Sequence, residues 1–289
     1  MANKKSSQWD TVIKPQSGLL DLHLRECWKY RDLILLFVKR NFIIVYKQTI
    51  LGPAWAIIQP LLTTLIFTVV FGGIAGLPTD GVPQFLFYMC GNIAWHYFAA
   101  SLTDVSVTFT KNSRIFGKVY FSRLVMPIAT VLTQLISFVI QYAFFLIFLI
   151  YYANVPGSAV NPNFGLILLT PLLLMHMALL AMGVGVMISA LTTKYRDLAM
   201  LVSFGVQLWM YATPVTYPSS MIAESYPQLM NLYMLNPMAS IVEMFRAAYL
   251  GVGSFNFGHY AISVGITLAL LIGGLILFSK TEKTFMDTV

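Results

Sequence analysis

Long apolar runs separated by short basic segments set the order of this chain. Residues 50–75 carry no charge, while Lys39, Arg40 and Lys47 crowd the near side of that run. A helix needs roughly 20 apolar residues to cross a hydrocarbon core, and six runs reach that length, at 53–76, 84–109, 124–152, 164–191, 198–216 and 258–279. Lys and Arg are costly at the bilayer centre and collect on the cytoplasmic face, so their distribution tests this count. Segments 1–52, 110–123, 192–197 and 280–289 hold nine, four, two and two of them, or 17 of the 18, and only Arg246 falls elsewhere. The pattern predicts an all-α integral membrane protein of six transmembrane helices with both termini cytoplasmic. Five or seven spans would break the agreement. The chain then divides into a cytoplasmic N-terminal segment (1–52), a membrane domain (53–279) and a cytoplasmic tail (280–289).

Residues 1–16 are polar and unpatterned and are read as a mobile tail. Leu20, Leu24, Cys27 and Trp28 then recur at i, i+4, i+7 and i+8, with Asp21, Arg25 and Lys29 on another face. That spacing predicts a short amphipathic helix lying on the membrane surface, either as an anchor or as a docking element. The apolar run 33–38 stops at Lys39-Arg40, too soon to span, and is expected to continue along the interface. Between the last two spans, Thr213-Pro214, Tyr217-Pro218, Tyr226-Pro227 and Asn236-Pro237 rule out one continuous helix. Asn236 as N-cap, Pro237 at the first position and Gly251 as stop predict a helix over 237–250. A second short helix is expected over 219–233, the two forming re-entrant or periplasmic elements. Glu243 and Arg246, three apart on one face, are expected to form a structural ion pair.

Composition agrees with the pattern: of 289 residues, 58% are apolar and 10% charged, and the mean hydropathy is +0.75. These values exclude an ordinary soluble domain. The net charge of +7 sits in short segments between apolar runs, which argues for topology and lipid headgroups rather than nucleic acid. Cys27 and Cys90 fall in different compartments and offer no metal or redox spacing. No apolar core with a small-residue cleavage site precedes the first span, so no signal peptide is expected.

Catalytic motifs are missing: there is no GxxxxGK[ST], HExxH or GxSxG. Asp80, Asp104, Asp197, Glu224 and Glu243 are scattered, and His23, His96, His176 and His259 are single. No catalytic residue, metal site or bound cofactor is expected, and any uphill transport must draw on an ion gradient or a separate ATPase. Ion-coupled carriers place ionisable groups at mid-membrane. Here the mid-span polarity is neutral: Asn92, Trp95, His96 and Tyr97 in the second span, Gln134 and Gln141 in the third, Gln207 and Trp209 in the fifth. Trp95, Tyr97, Gln134, Gln141, Gln207 and Trp209 suit a sugar path, offering amides to hydroxyls and rings to C–H faces; interfacial belts and helix packing are the alternative reading. The loop KNSRIFGKVYFSR sets Lys111, Arg114, Lys118 and Arg123 among Ile115, Phe116, Val119, Tyr120 and Phe121. Cations at headgroup level suit a lipid-linked phosphate or diphosphate, and equally suit ordinary positive-inside anchoring.

The ordered set DLHLRECWKYRDLILLFVKRNF, YKQTILGPAWAIIQPLLTT, FGKVYFSRLVMPIA, KYRDL and LNPMASIVEMFRAAYLG resembles the permease subunit of polysaccharide-exporting ABC transporters of the ABC-2 type. The likeness is greatest to O-antigen (lipopolysaccharide) exporters, with teichoic acid and capsule exporters as relatives. It implies a homodimer in the bacterial inner (plasma) membrane that binds two copies of a cytoplasmic ATPase subunit, with ATP and Mg held on that partner. The substrate it implies is a polysaccharide on undecaprenyl diphosphate, threaded through a channel at the dimer interface. Asp21, Arg25, Trp28, Lys29 and Tyr30 match the family's interface helix, and Arg196 lies in the coupling loop KYRDL. Lys111, Arg114, Lys118, Tyr120 and Arg123 match its gate helix beside the substrate entrance. Asn236, Pro237, Glu243 and Arg246 match its periplasmic gate. One departure is Asn41, where an acidic residue is expected after the Lys-Arg pair. Two rivals are an ABC-2 exporter of a small lipid or drug and a membrane-embedded glycosyl or acyl transferase, the latter without a DxD pair or a His-x4-Asp arrangement.

Overall fold

The computed structural model describes residues 24–288 apart from 48, 120, 194, 196 and 254, with side-chain detail from Cys27 to Thr281. All regular structure among these residues is helical. Helices α1 (Leu24–Lys29) and α2 (Arg31–Tyr46) lead through a 3-10 turn to α3 (Trp55–Phe67), which continues as a π-helix over Thr68–Ile74. Then come α4 (Gln84–Ser106), α5 (Thr108–Phe116), α6 (Val125–Ala153), α7 (Phe164–Ile167), α8 (Thr170–Thr192) and α9 (Leu198–Tyr211). The last group is α10 (Ser219–Ser225), α11 (Met230–Tyr233), α12 (Pro237–Tyr249) and α13 (Phe257–Thr288).

Among the described residues, four helical stretches are long and apolar enough to cross a membrane: Gly52–Ile74, Val125–Ala153, Thr170–Thr192 and Phe257–Thr281. The other two expected spans fall on α4, as long as α8 but more polar, and on α9, which has 14 residues. Helix α4 tolerates Asn92, Trp95 and His96 because it is the centre of the bundle, packed against α3, α6, α8, α9 and α12. Sixteen of its 23 residues are buried, Asn92 and Trp95 among them. Helix α9 ends at Tyr211, ahead of Pro214, which has no N–H to continue the ladder.

Local signals decide the outer segment. Asn236 Oδ1 accepts from Met238 N at 3.1 Å to start α12, and Gly251, at φ +73°, ends it in a conformation that β-carbons disfavour. The single helix expected over 219–233 is instead broken by Pro227 into α10, a 3-10 turn and α11. Helix α2 runs unbroken through Lys39-Arg40 to Tyr46.

Helices α8 and α13 make the closest pairing. A β-carbon on Gly183 would lie 2.8 Å from Leu271 Cα, and one on Gly274 would collide with the Gly183 carbonyl oxygen. Small residues let two apolar helices gain dispersion contacts where no hydrophobic drive separates protein from lipid. His176 Nε2 and Thr267 Oγ1, 2.9 Å apart, bond across the same seam. Gly274→Ala should therefore lower the melting temperature in detergent by about 5 °C, since overpacking a tight contact costs about 1–3 kcal/mol. Gly273→Ala, with open space around the added methyl, should leave it unchanged; equal behaviour of the two variants would contradict this packing.

Candidate functional site

The basic loop begins where α4 stops. Val107 leaves helical geometry (φ −109°, ψ 17°), and the hydroxyls of Ser106, Thr108 and Thr110 donate to the carbonyls of Thr103, Val105 and Val107. These bonds satisfy backbone acceptors at the break and let α5 restart in a new direction. One face of α5 is apolar and anchored: Phe109 stacks on Phe278 of α13 at 4.5 Å, and its backbone N–H donates to Ser189 Oγ at 3.3 Å. Phe116 packs against Phe109 and Phe121, with the Arg123 guanidinium 5.6 Å over its ring. Lys111, Arg114 and Lys118 are exposed.

The N-terminal helices reach the same loop. Cys27 Sγ of α1 lies 3.3 Å from Ser122 Oγ, and Phe37 of α2 packs on Phe121 with centroids 5.8 Å apart. Trp28 projects into solvent at 74% exposure, beside exposed Lys29 and half-buried Tyr30. A large apolar ring with that exposure, next to a basic residue, makes α1 a surface available for contact. Arg40 covers the Phe37 ring at 4.6 Å and donates from Nη2 to Asn41 Oδ1 at 2.9 Å. Asn41 thus supplies a neutral acceptor where an acidic residue was expected.

A polar stripe on α6, formed by Gln134, Ser137 and Gln141, ties these parts together. Gln134 Nε2 donates to Asp104 Oδ2 at 2.7 Å, and Asp104 Oδ1 pairs with Lys111 Nζ at 3.4 Å. Ser137 Oγ bonds Tyr46 OH of α2 at 3.1 Å, and Gln141 Nε2 lies 3.5 Å from His96 Nδ1 of α4. The i, i+3, i+7 spacing puts all three on one side of α6.

At the opposite end, Arg246 of α12 is fully buried. It donates from Nη1 to Glu243 Oε1 and the Tyr217 carbonyl, both at 3.2 Å, and from Nη2 to the Val215 carbonyl at 2.9 Å. Its guanidinium lies 3.8 Å over the Phe87 ring of α4. Asn236 joins the same assembly: its amide donates to the Ala212 carbonyl and Thr213 Oγ1, and its oxygen accepts from Trp209 Nε1 at 2.9 Å. Burial raises the Tyr217 and Tyr233 phenols above their usual range, so both stay neutral as Tyr233 donates to Tyr217 and Tyr217 to the Tyr211 carbonyl.

The residues singled out in the sequence therefore fall into separate places. Asn236, Pro237, Glu243 and Arg246 lie on α12 and its N-cap, in one assembly with the segment that follows α9. Lys111, Arg114, Lys118 and Arg123 line one segment, with Trp28, Lys29 and Tyr30 nearby in the chain that packs on it. Trp95, Tyr97 and Gln141 are buried within the protomer, Gln134 and Trp209 half-buried, and Gln207 exposed. Asp21, Tyr120 and Arg196 lie outside the described residues, and Arg25 is described only as part of α1. Asp104, Tyr46 and Ser137 were not singled out as site residues. The seven-residue interval between Asp104 and Lys111 was the available signal, obscured by the helix break between them.

Comparison with known sequences extends this geometry. The family profile described as ABC-2 type transporter matches residues 32–250. The O-antigen export system permease protein RfbA of Klebsiella pneumoniae is 27% identical over 256 residues, covering 89% of this chain and 94% of its own. RfbA of Myxococcus xanthus is 27% identical over 267 residues, covering 92% and 98%. The capsule polysaccharide export inner-membrane protein CtrC of Neisseria meningitidis is 25% identical over 258 residues, covering 84% and 89%.

Removing one partner of a buried ion pair leaves the other charge in a low-dielectric interior, typically at about 3–5 kcal/mol. Arg246→Met and Glu243→Met should each destabilise the protein on that scale, and the double variant by less than their sum. Thermal unfolding in detergent checks this; additive losses, or none, would contradict the pairing.

Proposed function

Because the chain belongs to the ABC-2 type transporter family, we propose that it is the membrane-spanning permease of an exporter of polysaccharide, O-antigen in kind. The observation that carries this reading is similarity to polysaccharide export proteins along nearly the whole chain. The relatives' two cargoes are both glycans, and the match to a capsule export protein keeps capsule polysaccharide as the second reading of the cargo.

On this reading α3 with its π-helical extension, α4, α6, α8, α9 and α13 are six spans, and both termini are cytoplasmic. Two copies form the channel, and two copies of a cytoplasmic ATPase, holding ATP and Mg, dock against the N-terminal helices. The contacts of α1 and α2 with Ser122 and Phe121 give a route by which a push on those helices reaches the basic loop. Lys111, Arg114 and Lys118 receive the diphosphate of an undecaprenyl-linked glycan through charge-assisted hydrogen bonds at headgroup level. Gln207 and Trp209 of α9 then present an amide and a ring to the passing sugar. The outer cap of α10–α12, held by Asn236 and Arg246, stands where the glycan leaves.

Replacing Lys111, Arg114 and Lys118 together by Gln should cut surface glycan by about tenfold or more, through loss of three charge-assisted contacts, while membrane level and oligomeric mass stay the same. Normal export by that variant would remove the headgroup role. Topology is checked separately by Glu224→Cys: an impermeant thiol reagent should label this exposed outer-cap position from outside, with little background from buried Cys27 and Cys90. Labelling only from the cytoplasmic side would invert the arrangement.

A further inference from the structure

We propose that Asp104 is a built-in counter-ion of the basic loop, a positioning residue that holds Lys111 until the diphosphate of a lipid-linked substrate takes its place. The inference rests on the headgroup role proposed above for Lys111.

The two oxygens of Asp104 have different partners on different elements. Oδ1 lies 3.4 Å from Lys111 Nζ on α5, whereas Oδ2 accepts from Gln134 Nε2 on α6 at 2.7 Å. The carboxylate therefore stays anchored when Lys111 departs. The pair is open to solvent, with Lys111 65% and Asp104 37% exposed, so it is weak and exchanges readily. A diphosphate offers more negative charge and more acceptor oxygens than one carboxylate. Arg114 and Lys118 stand exposed on the same segment with no acidic partner among the described residues. They provide the additional cations that tip the exchange toward a multiply charged ligand.

The helix break makes the exchange mechanical. Helix α5 is joined to α4 through Val107, which leaves helical geometry; the Ser106 and Thr108 hydroxyls donate to the Thr103 and Val105 carbonyls, and the Val107 carbonyl accepts from both Lys111 N–H and the Thr110 hydroxyl. Lys111–Asp104 is the ion pair linking α5 to α4 among the described residues. Its release removes that tether and leaves α5 held by its apolar face, through Phe109 on Phe278 and Ser189 and Phe116 on Phe121. Headgroup binding is thereby converted into freedom of the gate segment.

The test uses the full-length protein in detergent. A water-soluble carbodiimide should couple the Asp104 carboxyl to the Lys111 amine, and mass spectrometry of the linked peptides quantifies the yield. Saturating farnesyl diphosphate should lower that yield by about threefold or more, as expected if a multiply charged ligand displaces a weak pair. Inorganic pyrophosphate, run alongside, shows whether the diphosphate alone suffices or the isoprenoid must place it; loss of the link with either probe supports the exchange. Asp104→Asn keeps an acceptor for Gln134 but drops the charge. It should bind farnesyl diphosphate about two- to fivefold more tightly, the range of an exposed ion pair, and the gain should vanish in a Lys111→Gln background. A purely structural Asp104 would give equal or weaker binding. Undiminished crosslinking with farnesyl diphosphate bound overturns the exchange alone, whereas a wild-type protein that binds neither probe overturns the headgroup reading along with it.

Discussion

Helix α4 carries Asn92, His96 and Asp104 into the centre of an apolar bundle, and each of the three is bonded to a neighbouring helix. Unsatisfied groups at that depth would each cost several kcal/mol. Asn92 donates to the Pro60 carbonyl and Thr64 Oγ1 of α3, His96 meets Gln141, and Asp104 is shared by Gln134 and Lys111. Near its N-terminal end the Phe87 ring receives Arg246. The same bonds that let α4 be buried also fix which helices surround it.

Two working ends follow from that arrangement. At one end Arg246 and Asn236 collect the carbonyls of Ala212, Val215 and Tyr217 in the segment that follows α9, which ties that segment to α12, while the Arg246 guanidinium over Phe87 adds α4. At the other end the α6 stripe holds α2 through Tyr46 and α4 through Asp104, and the N-terminal helices pack on the loop that carries Lys118 and Arg123. The join at Arg246 is buried and multiply bonded, while the one at Asp104 contains an exposed and exchangeable ion pair. That contrast in burial makes the end that carries the basic loop the part of the chain suited to move first.

Much of the architecture was readable because its signals are local. An Asn-Pro start and a Gly stop define α12, and the i,i+3 spacing of Glu243 and Arg246 brings them together whatever surrounds them. Charge-free runs mark the long helices for the same reason. What could not be read depends on rotation and breaks: Gln134 and Gln141 were visible as a seven-residue repeat, but their partners on α4 depend on how two helices turn against each other. Pro227 was visible too, yet whether it kinks or breaks a helix is decided by packing. The Asp104–Lys111 pair hid behind the break at Val107, since an uninterrupted helix also sets residues seven apart on one face but two turns away from each other.

The central claim is that this chain moves a glycan with energy supplied by another subunit. The direct measurement is the native mass and ATP hydrolysis of the detergent-purified protein after co-expression with its candidate cytoplasmic ATPase subunit. The account predicts a complex of two copies of each chain that hydrolyses ATP. A stable, folded protein that is purified without an ATPase in every such co-expression would contradict it and return an ion-driven carrier or a membrane transferase to consideration.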